Sequence, residues 1–151
     1  MAVKCIKYKD KYKFQLAETY IVQTPIYPPE NIFTDFCKLL TDGVFTIYKH
    51  YAWDGATCFP DVNSIIRGSL GHDCFYQLFR WGLLDREKWL EPVNRFLQQN
   101  CIEDGMWSAM AWAVYQGVEI GGDPCADPAH KKPILTAPNG CVEIDNDVGM
   151  I

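Results

Sequence analysis

Apolar residues recur at every second position before Pro60 and at every third or fourth after it, a switch that confines the chain to strands followed by helices. A run of strands and then a run of helices makes an α+β domain. From Lys7 to Lys13 lysines alternate with Tyr8, Asp10 and Tyr12, placing the ammonium groups on one face of a strand or tight hairpin. A solvated face that protects a sheet edge explains them better than an anion site. Phe14 to Val22 continues as strand, and Pro25, Pro28 and Pro29 break it into a crossing loop. Asn31 to Leu40 and Val44 to Tyr51 are joined by Thr41-Asp42-Gly43, and Asp-Gly between apolar runs is a hairpin signal. An antiparallel sheet over residues 7 to 51 follows.

A helix is expected from Ser64 to about Phe79, capped by Asn63 or Ser64, with Ile65, Ser69, His72, Tyr76 and Phe79 on one stripe. Gly68 and Gly71 lie within it. Each costs about 1 kcal/mol against alanine, so the pair implies close approach of another backbone or a ligand. A second helix, residues 86–101, carries Pro92 either as a kink or as the opening of its main part. A third, Met106 to Val118, sets Ala109, Ala111 and Ala113 among Trp107, Trp112 and Tyr115 for tight packing. After Gly121-Gly122 the prolines multiply and no period persists. The organisation expected is one domain over 1–122 and an extended tail over 123–151 that lies on the body or on a partner.

A chain of 151 residues suits one domain, and 48% hydrophobic residues with 22% charged exclude disorder throughout. A net charge of −5 argues against nucleic acid or an anionic membrane as main partner, since both need a clustered cationic face. Seven cysteines without a C-x-x-C pair read as reduced thiols. There is no apolar run of signal-peptide type near the N-terminus and no membrane span, so synthesis and folding in a reducing cytoplasm are expected.

Chemistry concentrates at His72, which stands in an amphipathic helix with Asp73 next to it. One reading makes His72 a general base for water, its other nitrogen held by an acceptor on the neighbouring helix. Consecutive helical residues point about 100° apart, so Asp73 is not that acceptor. It can instead meet Asp54 around a hard cation, with calcium also taking loop carbonyls such as those of Gly55 or Ala56. The plainer reading is a core histidine bonded to Asn94 or a backbone carbonyl, with Asp73 clamping loop N–H groups. Cys58 or Cys74 as a thiol nucleophile lacks any activating neighbour in the sequence. Asp123, Asp127, His130, Asp145 and Asp147 have no ligand spacing, and Glu103-Asp104-Gly105 marks a turn.

The stretch AWDGATCFPDVNSIIRGSLGHDCFYQLFRWGLL resembles the phage and prophage family called domain of unknown function 1353, with its aromatic-x-Asp-Gly-small-Ser/Thr loop and Arg-small-Ser-Leu-x-His-Asp-x-x-Tyr helix. CIEDGMWSAMAWAVYQG continues the likeness, which covers most of residues 12 to 122. The resemblance implies a phage or prophage origin and no particular activity. A fainter one is to small bacterial and fungal phospholipases of the A-two type, through Asp54-Gly55-Ala56-Thr57, Pro60-Asp61 and His72-Asp73-Cys74-Phe75-Tyr76. It implies His72 as base, Asp54, Asp73 and the Gly55 loop as calcium ligands, and Tyr76 as support. Those enzymes orient the histidine with an aspartate where this chain has Asn94, with Glu91 one turn earlier as a substitute. An amide holds the tautomer without stabilising the imidazolium, and Asp-to-Asn in the serine-protease triad costs about 10⁴ in turnover. On this comparison Asn94→Asp is expected to raise activity.

Two main expectations stand side by side. One is a phage structural or assembly protein, virion- or tail-associated, made in the host cytoplasm, which meets other phage proteins through its C-terminal tail and keeps the His-Asp motif as a clamp. The other is a calcium-assisted ester hydrolase acting on lipid or cell-envelope material. A binding protein that counters a host defence is the third.

Overall fold

The computed structural model describes residues 3–10, 12–55, 62–126 and 133–142, with backbone alone for 121–126. In chain order the elements are β1 (Ile6–Tyr8), β2 (Phe14–Gln15), β3 (Tyr20–Gln23), β4 (Ile32–Phe33), β5 (Cys37–Leu39), β6 (Val44–Ile47), β7 (Ala52–Trp53), α1 (Asn63–Arg80), α2 (Arg86–Glu103), α3 (Ser108–Ala126) and β8 (Leu135–Ala137). This is an α+β architecture, and no helix among the described residues is long and apolar enough to cross a membrane.

The chain divides into two units, residues 12–131 and the two ends, 1–11 with 132–151. In the unit of the ends, β1 pairs antiparallel with β8, and a disulfide joins Cys5 to Cys141. The disulfide corrects the sequence reading, since two of the cysteines are bonded rather than reduced, while within the extended tail residues 135–137 form a strand. The 136 residues between the partners explain why local spacing could not reveal the pair. Cys37, Cys74 and Cys101 are buried free thiols.

In the larger unit, β3, β6, β5 and β4 lie in that order in one antiparallel sheet, and β2 pairs separately with β7. The β5–β6 hairpin forms where Asp-Gly predicts it. Gly43 takes φ +86°, the left-handed value that side chains disfavour, and the Asp42 carboxylate accepts from the Val44 N–H at 3.1 Å. The Asn31 to Leu40 run is not one strand, because Thr34 Oγ1 accepts from the Cys37 N–H at 2.9 Å and turns it into a second hairpin, β4–β5. One sheet face buries Cys37, Leu39, Phe45 and Ile47 against Cys74, Phe75, Leu78 and Phe79 of α1, with Phe45 stacked on Phe75 at 4.3 Å.

The helices differ from expectation mainly at their ends. Val62, not Asn63 or Ser64, is the N-cap of α1, and no side chain accepts there. Asp85 caps α2 by accepting from the N–H groups of Glu87 and Lys88, and the helix runs on through Pro92. Two glycines beyond Val118 do not stop α3, because a glycine weakens a helix by about 1 kcal/mol without forbidding it. Arg67 bonds Asp104, and His72 bonds Asn94, so α2 recedes as α1 advances and the two are antiparallel. Ile65, Leu97, Cys101, Met106, Ala111 and Val114 fill the space where the three helices meet.

Close approach explains only one of the two glycines of α1. A Cβ at Gly68 would meet Leu97 Cδ1 at 2.8 Å and the Leu97 carbonyl at 3.4 Å, whereas at Gly71 nothing lies within 4 Å. Gly71→Ala is therefore expected to stabilise the protein by about 0.5–1 kcal/mol through helix propensity and reduced unfolded-chain freedom. Gly68→Leu overpacks the α1–α2 contact and should cost about 1–3 kcal/mol. Urea denaturation of both variants checks this, and equal shifts at the two positions would contradict the packing described.

Candidate functional site

The site begins with a buried amide. Asn94 on α2 is 0% exposed, so each of its polar atoms needs a partner inside the protein. Its Oδ1 lies 2.8 Å from His72 Nε2 and accepts from the Tyr76 hydroxyl at 2.6 Å. Its Nδ2 donates to Glu119 Oε1 at 3.0 Å. With the amide nitrogen turned to the carboxylate, the oxygen faces the imidazole, and neutral His72 must carry its proton on Nε2 to make the bond. The other ring nitrogen, Nδ1, is then a lone pair.

That lone pair faces the edge of α1. Asp73 Oδ1 stands 3.8 Å from His72 Nδ1, too far for a hydrogen bond and close enough for charge to be felt. Asp73 Oδ2 accepts from the Asp54 backbone N–H at 3.3 Å. Trp53, one residue earlier, donates its indole N–H to Ser69 Oγ at 3.1 Å, which ties β7 to α1 and brings Asp54 to Asp73. Burial raises the Asp73 carboxyl above the usual carboxylate range, with the His72 contacts and the Asp54 N–H opposing that shift. The partial opening of the Asp73 side chain, 26% exposed, limits the effect. The His72 side chain is 10% exposed, and its ring packs on Tyr76 at 3.9 Å between centroids.

His72, Tyr76 and Asn94 are thus brought together, and Asp54 and Asp73 meet beside them. Glu91 is not part of this group. It pairs with Arg95 and accepts from the Tyr115 hydroxyl, because its position on α2 turns it toward α3 and solvent. Gly55 has φ +80° and is buried, while Ala56 and the other residues through Asp61, including Cys58, lie outside the described residues. Burial pushes the Cys74 thiol well up, away from a reactive thiolate. Asp127, His130, Asp145 and Asp147 are outside the described residues, as is the Asp123 side chain.

Two residues escaped the sequence reading. Glu119 is the third arm of the Asn94 network, and it lies just past Val118, the expected end of a helix that runs on to Ala126. Arg67 donates to Asp104, to Glu103 and to the Tyr20 hydroxyl, so Glu103-Asp104 anchors α1 as well as marking a turn.

Asp54 and Asp73 supply the oxygen donors a hard dication prefers, and Asp54 Oδ1 is buried. They are the residues that would hold calcium. Among the described residues no group of three or more His, Cys, Asp or Glu side chains is disposed to bind a metal. A calcium ion would therefore draw its remaining ligands from carbonyls and water. No family model matches the chain, and searches of characterised proteins and of solved structures returned no significant match.

The raised Asp73 group has a pH consequence. Its folded form holds the proton to higher pH than the unfolded chain does, so wild-type stability falls as pH rises through that window. In calcium-free buffer Asp73→Asn should equal or exceed the wild type in stability near pH ~7, and the difference should shrink toward pH ~4. Millimolar calcium should raise the melting temperature of the wild type alone. A calcium shift that survives Asp73→Asn would contradict the assignment.

Proposed function

We propose that the chain is an ester hydrolase in which His72 is the general base. The observation that carries this reading is the 2.8 Å bond from His72 to Asn94, which commits Nε2 as donor and leaves the Nδ1 lone pair on the side of Asp73. A clamp alone has no need for the Asp73 carboxylate beside the lone pair of an imidazole.

The chemistry follows from the tautomer. Nδ1 takes a proton from a water molecule while that water's oxygen forms a bond to the ester carbonyl carbon. As the tetrahedral intermediate collapses, its bond to the leaving alkoxide breaks and the Nδ1 proton goes to that oxygen, so an acid and an alcohol result. Asn94 and Tyr76 hold the ring in place through both transfers. Calcium on Asp54 and Asp73 would supply polarisation of the carbonyl. The fainter resemblance to phospholipases supports a lipid or envelope ester as substrate class.

A second reading, a phage structural or assembly protein, is favoured by the closure of the network. His72, Tyr76, Asn94 and Glu119 satisfy one another, and little of the imidazole reaches solvent. On that reading the motif is a clamp between helices, and its partners are other phage proteins.

Glu119 alters the most informative experiment. Asn94→Asp alone would set a carboxylate against the Glu119 carboxylate at 3.0 Å, so the single change is expected to destabilise the fold instead of raising activity. Combined with Glu119→Gln, whose amide can donate to the new carboxylate, it should raise turnover of a short-chain phospholipid by about tenfold or more by stabilising the imidazolium. His72→Ala should lower turnover by about 10²–10⁴-fold. Negligible hydrolysis by the folded wild type and double variant at all calcium concentrations, with stoichiometric copies of the chain in purified virions, would instead establish the structural reading.

A further inference from the structure

We propose that Glu119 is a positioning residue that selects the tautomer of His72 by fixing which end of the Asn94 amide faces the imidazole. The two ends of an amide are nearly equal in size, so packing does not choose between them. Hydrogen bonding does. With the oxygen toward α1, Asn94 accepts from His72 and Tyr76 and donates to Glu119. Turned over, it would set the buried amide oxygen against the Glu119 carboxylate oxygen and leave two acceptors facing each other, which is costly.

Other neighbours do not make this choice. The Tyr76 hydroxyl both donates and accepts, so it adapts to either orientation. Asp73 pulls the other way, because its Oδ1, 3.8 Å from Nδ1, would be better served by a proton on Nδ1. Glu91 faces Arg95 and Tyr115, and Asp54 offers Asp73 its backbone N–H. Glu119 is therefore the group that overrides Asp73 and keeps the Nδ1 lone pair open. Under the hydrolase reading this is the nitrogen that meets water, but the assignment requires no turnover.

The test is the protonation pattern of the His72 ring, read from ¹⁵N and ¹³Cδ2 chemical shifts at a pH where the imidazole is neutral. The wild type should show the Nε2–H form. Glu119→Gln, whose amide can either accept from Asn94 or donate to it, no longer forces the choice and should admit the Nδ1–H form beside the Nε2–H form. Glu119→Lys should invert it to Nδ1–H, because the ammonium donates to the amide oxygen and turns the amide nitrogen to His72. Glu119→Leu removes the choice and should give a mixture, which keeps the test decisive if the lysine variant does not fold. An unchanged Nε2–H population in a folded Glu119→Lys or Glu119→Leu protein would overturn the proposal. Because no substrate is used, that outcome is separate from any failure to find hydrolysis.

Discussion

A single buried amide holds the three helices in register. Asn94 on α2 reaches His72 and Tyr76 on α1 through its oxygen and Glu119 on α3 through its nitrogen, and it is wholly shielded from water. Such a group cannot lose a partner without leaving a buried donor or acceptor unpaired, at about 1–3 kcal/mol. Its bonds require α1 and α2 to run close, and Gly68 permits that contact against Leu97. The same bonds set the direction of the imidazole.

Packing around the amide places the remaining parts. The sheet covers an adjoining face of α1 through Phe45 on Phe75, while His72 and Tyr76 face Asn94 of α2. Trp53 on β7 is buried against α1 and bonded to Ser69, so the next residue, Asp54, arrives beside Asp73. The carboxylate edge is thus a consequence of how a short strand docks on a helix. Arg67 does the same for the far end of α2, which it grips through Asp104 and Glu103.

Features set by local chemistry were legible in the sequence. The Asp42-Gly43 turn, the antiparallel strands on either side of it and the three helices follow from period and turn residues, and the His72 stripe pointed at the helix that carries Asn94. What depends on pairing over long separations was not legible. The Cys5–Cys141 bond and the β1–β8 pair join opposite ends of the chain, and neither residue pattern announces its partner. Glu119 falls in the same class, since it lies beyond the helix end expected at Val118 and finds its partner Asn94 only when the longer α3 docks beside α2. Gly71 shows the opposite error, because its neighbour Gly68 has a packing reason and Gly71 has none in these contacts. The Val62 cap and the length of α3 were missed because helix ends depend on small differences that tertiary packing overrides.

The central claim is that the chain presents a histidine with its lone pair on Nδ1, oriented through Asn94 from Glu119. Neutron diffraction from deuterated crystals, grown where the imidazole is neutral, locates the protons directly. The account predicts one deuteron on His72 Nε2 and one on the Tyr76 hydroxyl, both aimed at the Asn94 oxygen. It also predicts a deuteron of the Asn94 nitrogen aimed at Glu119, and none on Nδ1. A deuteron on Nδ1 directed at Asp73, with the Asn94 nitrogen turned to the ring, would contradict it.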